Sequence, residues 1–157
     1  MLDQITKFWI TLHIPLHYSV SVVEEYFNLT HIRNPGVAFG LFARNEYEYK
    51  VIFFVAISII AIIAILTIFH QSPENKRAVR FGLILIFSGA VGNLIDRILY
   101  GEVIDFIDFF YEGFHWPAFN IADSCITIGV SFMIYDLFFG YQNNTSVSNP
   151  SREPVND

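Results

Sequence analysis

VIFFVAISIIAIIAILTIF, residues 51–69, runs nineteen residues without a charge. As a helix it is about 28 Å long, which matches the hydrocarbon thickness of a bilayer. Working toward the C-terminus, residues 71–80 hold Pro73, Glu74, Lys76, Arg77 and Arg80. This is a short polar connector whose net positive balance favours the cytoplasm. Residues 81–95 are again uncharged but too few to cross. The third span therefore extends to residue 97 and carries Asp96 and Arg97 near its outer end. A last apolar stretch, 116–139, encloses Asp123, and residues 141–157 are polar and rich in Pro, Ser and Asn, as expected of a disordered cytoplasmic tail.

Composition agrees with a chain whose solvent is lipid. Of 157 residues, 54% are apolar and 15% charged, against about a quarter charged in an ordinary soluble domain. No internal repeat divides residues 1–140, so one domain is expected. The formal net charge of -6 has no basic stripe within it, which excludes nucleic acid as a partner. Cys125 is the single cysteine and can form neither an internal disulfide nor a cysteine-cluster metal site.

Toward the N-terminus, residues 19–50 are neither a clean span nor low-complexity linker. Asn34-Pro35-Gly36 marks a turn between Val/Ile/Phe-rich flanks, so a small β-rich element outside the membrane is expected. Residues 1–18 contain Asp3, Lys7, His13, Pro15 and His17 and hold no run long enough to span. They read as the outer half of a first span, which predicts further apolar residues ahead of Met1. The fold expected is thus a membrane all-α bundle of four transmembrane helices, the first truncated. Its spans fall at about residues 1–18, 51–69, 81–97 and 116–139. Ser88 with Gly92, and Ala118 with Ala122, are four apart and suit close helix contact, although either pair alone is as readily chance.

A carboxylate within a bilayer costs about 2.5 to 3.5 kcal/mol even on the lenient insertion scale, so Asp123 is a candidate functional residue. If Trp116 marks the interface, Asp123 lies about 10 Å below it. Asn120, Asp123 and Thr127 then form one polar stripe, read either as a site or as a helix-packing cluster. Asn93, Asp96 and Arg97 also share a face, where Arg97 either meets a carboxylate or substrate carbonyl or simply snorkels to the interface. Past Gly101 comes Asp105, expected to return to the membrane surface at the depth of Asp123, and pattern alone does not exclude Asp108. Two carboxylates about 4 Å apart repel by roughly 4 kcal/mol at an effective dielectric near 20, so they share one proton near neutral pH. Such a pair activates water without a metal or other cofactor. HExxH, GxSxG and Cys/His clusters are absent from the sequence.

Four ordered stretches carry a resemblance: DQITK at 3–7, NPGVAFG at 34–40, GAVGNLIDRILYGEVIDFIDFF at 89–110 and FNIADS at 119–124. Together they resemble the lipoprotein signal peptidase family, also called signal peptidase II. The resemblance implies a four-helix aspartyl peptidase of the bacterial inner membrane with its active site toward the outer face. Its substrates would be diacylglyceryl-modified prolipoproteins, cut on the N-terminal side of the lipidated cysteine, and globomycin would occupy the same cleft. Asp105 and Asp123 would be catalytic. Asn93, Asp96, Arg97 and Asn120 would support the dyad and bind substrate backbone. Asn34 and Gly36 would lie in the extracytoplasmic element that cradles substrate, and Asp3 and Lys7 on the outer part of the first helix. The alternative from another class is a non-enzymatic transporter or proton-relay protein with Asp96, Arg97 and Asp123 along its pathway.

Overall fold

The structure, a computed structural model, describes residues 1–36 and 47–139. In chain order these form α1 (Leu2–His13), β1 (Ser19–Val23), β2 (Phe27–Asn34), α2 (Tyr47–Gln71), α3 (Arg77–Tyr100), β3 (Val103–Tyr111), β4 (Phe114–His115) and α4 (Ile121–Phe139). Residues 37–40 of the NPGVAFG stretch and the tail 141–157 lie outside the described residues.

Three of the described helices are long and apolar enough to cross a membrane: Tyr49–Gln71, Arg77–Tyr100 and Ile121–Phe139. No residue in the most apolar window of the first is fully buried by the rest of the chain, which suits a helix with a broad face toward lipid. α3 is central and packs on α4 most extensively, then on α2. Glycine is what lets α3 and α4 approach. A Cβ added at Gly129 would come to 2.5 Å from the Gly82 carbonyl oxygen, and one at Gly82 to 2.6 Å from the Gly129 carbonyl oxygen. Gly89 and Gly92 lie against Ala122 in the same seam. These glycines, with Ala122, make the close contacts; Ala118 precedes the helix. Gly129→Val is expected to lower stability in detergent by about 1 to 3 kcal/mol, because two backbones must separate to admit the side chain. A thermal unfolding midpoint equal to wild type would contradict this packing.

The strands form one antiparallel sheet in the order β1-β2-β3-β4. Residues 19–34 are β-rich as expected, but their sheet is completed by β3 and β4 from between α3 and α4. Residues 47–50 belong to α2 and not to the β element. Asp105 accordingly sits within a strand, paired with Ile32. Gly101 ends α3 with φ 76°, a left-handed cap that side chains resist, and turns the chain into β3.

The fourth helix begins later than residue 116. Pro117 disfavours helical geometry in Trp116, and the Trp116 N–H donates to the Phe109 carbonyl. Phe119 pairs with Ile107 as a further bridge. Depth counted along a helix from Trp116 to Asp123 therefore does not hold, and Asn120 and Asp123 are not on one continuous helical stripe. α1 ends at His13 and α3 continues to Tyr100, so the boundaries expected at residues 18 and 97 also shift. Ile10 and Ile14 bury against Phe106 of β3. The buried His31 ring uses Nδ1 to donate to the Ile14 carbonyl at 2.8 Å, tying β2 to the end of α1.

Candidate active site

α1 is inverted relative to a helix in water. Leu2, Ile5, Phe8 and Leu12 are exposed, while Asp3 and Lys7 are buried. Lys7 Nζ lies 2.9 Å from Asp3 Oδ2, 2.7 Å from Asp96 Oδ2 and 3.0 Å from Asn93 Oδ1. Gln4 Nε2 donates to Asp96 Oδ1 at 2.8 Å and to the Gly92 carbonyl at 3.0 Å. The second Asp96 oxygen also accepts the Ile104 N–H at 3.2 Å, fastening the start of β3. Asp3 Oδ1 accepts the Ala122 N–H at 2.9 Å. That N–H is one of the unpaired donors in the first turn of α4, where a carboxylate also meets the positive end of the helix dipole. Gly92 leaves the room for it, since a Cβ there would stand 2.7 Å from Asp3 Oδ2. DQITK is thus a clamp holding α1, α3, β3 and α4 together.

The two aspartates singled out from the sequence approach the same pair of amides. Asn120 precedes α4 and caps it: its Oδ1 accepts the Asp123 N–H at 2.9 Å, while Asp123 Oδ2 accepts the Asn120 N–H at 3.3 Å. This is a reciprocal capping box with Asp123 in the third helical position. The Asn120 oxygen being so occupied, its Nδ2 donates to Asp105 Oδ1 at 2.7 Å. Asn93 is oriented in the same manner, because Lys7 has no acceptor and must face the amide oxygen. Its Nδ2 therefore donates to Asp123 Oδ1 at 2.8 Å. A contact of 3.3 Å from Asn120 Nδ2 to Asn93 Oδ1 links the two amides.

From β2, Asn34 completes the site. It is a diagonal neighbour of Asp105 across the β2–β3 ladder, two residues from Val103, which it faces. Its Nδ2 donates to Asp105 Oδ2 at 2.9 Å and its Oδ1 accepts the Gly36 N–H at 2.8 Å. Gly36 has φ +78°, as the turn after Pro35 requires, and a Cβ there would press on the Phe54 ring at 3.0 Å. Asp105 is 2% exposed. Burial pushes its carboxyl up to about 6, against the lowering effect of the Asn34 hydrogen bond, and the nearby Asp123 charge raises it further.

Arg97 reaches sideways to α2. Its Nη1 makes long contacts to Ser58 Oγ at 3.5 Å and to the Asn93 carbonyl at 3.4 Å, and the guanidinium stands 5.8 Å from the Phe54 ring centroid. Among the described residues it forms no ion pair, so the carboxylate partner considered from the sequence is not taken. Asp108 is committed elsewhere: Asn28 Nδ2 donates to its Oδ2 at 3.1 Å, and His115 Nδ1 stands 2.9 Å from its Oδ1. Thr127 does not join the cluster, and its carbonyl accepts Ser131 Oγ. Gln4 was not distinguished by sequence reasoning; its place beside Asp3 and one turn from Lys7 was the available signal.

The model of the family described as signal peptidase (SPase) II matches residues 1–139. The chain is 48% identical over 138 residues to a lipoprotein signal peptidase of Desulforapulum autotrophicum, covering 88% of this chain and 85% of that one. It is 42% identical over 137 residues to the one of Geobacter sulfurreducens, covering 87% and 84%. A solved bacterial membrane enzyme, determined by the in meso method at 2.3 Å resolution, superposes with a TM-score of 0.76 at 36% identity. That match covers 98% of this chain and 88% of the other. With a sheet-capped bundle of apolar helices and a family match over nearly every described residue, the chain is a membrane protein that belongs to the signal peptidase II family of proteases.

Proposed function

We propose that this protein is an aspartic endopeptidase that removes the signal peptide from diacylglyceryl-modified prolipoproteins, with Asp105 and Asp123 as its catalytic pair. The observation that carries the reading is the bridge Asp105–Asn120–Asn93–Asp123, in which every amide is oriented to donate to a carboxylate. Asp105, raised to about 6, holds the shared proton and gives it to the scissile carbonyl oxygen. Asp123 takes a proton from the attacking water, which adds its oxygen to the carbonyl carbon. As the tetrahedral adduct collapses and the C–N bond breaks, Asp123 passes that proton to the departing amide nitrogen and Asp105 recovers its own from an adduct hydroxyl, leaving the new carboxyl group and the starting pair. Cleavage falls on the N-terminal side of the lipidated cysteine. Asn34 and Gly36 shape the turn against which the substrate lies, and Asn93, Asp96, Arg97, Asn120, Asp3 and Lys7 support the pair. The inner membrane is the expected location, with the cleft toward its outer face. Incubating the purified protein with a lipidated prolipoprotein should give a mobility shift that globomycin prevents; no shift would refute the reading.

The transporter alternative is disfavoured by Asp96, which is fully buried between Lys7, Gln4 and the Ile104 N–H and does not line a pathway.

The Asp105 proton gives the reaction a pH sign. Below about 6 the acid is in place and above it the proton is lost, so kcat/KM is expected to fall as pH rises through that value. The corresponding limb of kcat should lie at higher pH, because bound substrate buries the carboxyl further. A kcat/KM flat between pH 5 and pH 8 would contradict this role.

Arg97→Ala is expected to impair cleavage more than Lys76→Ala. Lys76 Nζ pairs with Asp136 Oδ2 at 2.7 Å between the opposite ends of α3 and α4, far from both acids. Equal activity of the two variants at matched expression would remove Arg97 from the site.

A further inference from the structure

The sheet carries an aromatic tip that the peptidase reading does not use. Tyr26, Phe109, Phe110, Tyr111, Phe114 and Trp116 wall a groove of about 300 Å³ at the end of β3 remote from Asp105. Phe114 is 73% exposed, Trp116 62%, Tyr111 54% and Tyr26 52%. The Tyr26 and Tyr111 rings stack with centroids 5.6 Å apart, and Phe27 and Phe109 meet at a tilt with centroids 5.1 Å apart. So much contiguous aromatic surface facing water is unfavourable and marks an interaction site.

The placement of the tip says what covers it. Only Gly101 and Glu102 separate α3 from β3, and α4 starts five residues after Trp116. The sheet is therefore tied at both ends to membrane-crossing helices and lies at the bilayer surface. Tyr and Trp, apolar in body with a polar edge, suit that depth. The apolar outer surface is also continuous along the chain: exposed Leu2, Ile5, Phe8, Trp9 and Leu12 of α1 lead through Leu16 and Tyr18 to exposed Val20, Val22 and Val23 of β1. Residues 18–32 and 98–120 contain no Lys or Arg, while Glu24, Glu25 and Glu112 occupy the hairpin turns. Anionic headgroups are thus not what the tip recognises.

We infer that the tip is a membrane anchor, seated in the interfacial layer of the bilayer by its aromatic rings irrespective of headgroup charge. Phe109 is four residues from Asp105 on the same strand, about 13 Å in an extended chain. The anchor therefore sets the height of Asp105 above the hydrocarbon and so the height at which a substrate is cut. The seating of the tip does not depend on the peptidase chemistry, whereas the height of the cut rests on that reading.

The full chain with Trp9→Phe keeps Trp116 as its only tryptophan, since the sequence has two. Reconstituted in phosphatidylcholine vesicles, its emission should be quenched by lipid brominated near the headgroup end of the acyl chain, more than by lipid brominated near the methyl end. Iodide in the aqueous phase should quench little. The same protein with Tyr111→Asp and Phe114→Asp should become accessible to iodide while its far-UV circular dichroism is unchanged. Quenching by iodide without quenching by bromolipid would overturn the anchor, placing the tip in water. Protection from both quenchers would overturn it equally, showing that protein covers the tip.

Discussion

Asp105→Asn and Asp123→Asn are each expected to abolish detectable cleavage of a lipidated prolipoprotein while the proteins still insert and accumulate. Loss of a positioned acid or base costs about 10²- to 10⁴-fold in rate, and here each substitution removes a partner on which the other depends. Asn retains the size of Asp, and its single oxygen can still accept from Asn34 or from Asn120 at residue 105, or from Asn93 at residue 123, at the loss of the bond made by the other carboxylate oxygen. It cannot exchange a proton near neutral pH. Burial of a neutral amide is easier than burial of a charge, so misfolding does not account for lost activity. The double variant should be about as inactive as either single one, because groups that act as a unit are not additive. Two single losses that multiply in the double variant would show the aspartates working independently.

Lys7→Met is expected to lower stability more than Gly129→Val does. Lys7 is 1% exposed and is the cation between Asp3 and Asp96, which are 7% and 0% exposed. Removing one member of a buried charge cluster leaves its partners uncompensated, at a cost of about 3 to 5 kcal/mol. The damage reaches the site by a definite route. Without Lys7 only the 3.3 Å contact from Asn120 Nδ2 holds the Asn93 oxygen, so the amide turns more readily and presents that oxygen to the carboxylate. Asp3 likewise loses the partner that holds it at the Ala122 N–H, and α4 loses a cap. Lys7→Arg keeps the charge and should recover part of both stability and activity. Detergent unfolding and a cleavage assay on the same preparations check this, and a Lys7→Met protein with wild-type stability and activity would contradict the clamp.

How far the sequence reveals this arrangement depends on the physics of each element. The spans are legible because an uncharged run long enough for a bilayer, such as residues 51–69, has few other uses. Asp123 is conspicuous because a carboxylate inside an apolar stretch is costly. The start of α4 is not legible by hydropathy, since residues 116–120 are as apolar as a helix and only their ladder bonds to Phe109 and Ile107 reveal a strand-like course. β3 is concealed for another reason. Its partner β2 lies some seventy residues earlier, and an antiparallel pairing of that separation leaves no local periodicity. The motifs identify Asn93, Asn120 and Lys7 as relevant without telling what each does. Which amide atom faces which carboxylate is decided by the cation and by the helix cap, and only the assembled structure contains both.

Asp105 and Asp108 lie on one strand, both buried, and differ in what holds them: Asn34 and Asn120 for the first, Asn28 and His115 for the second. The most direct test is a mass-spectrometric rate of signal-peptide release from a lipidated prolipoprotein by the wild type, Asp105→Asn and Asp108→Asn in one membrane preparation. The account predicts release N-terminal to the lipidated cysteine by the wild type and by Asp108→Asn, and none by Asp105→Asn. Release by Asp105→Asn at the wild-type rate, with none by Asp108→Asn, would contradict it.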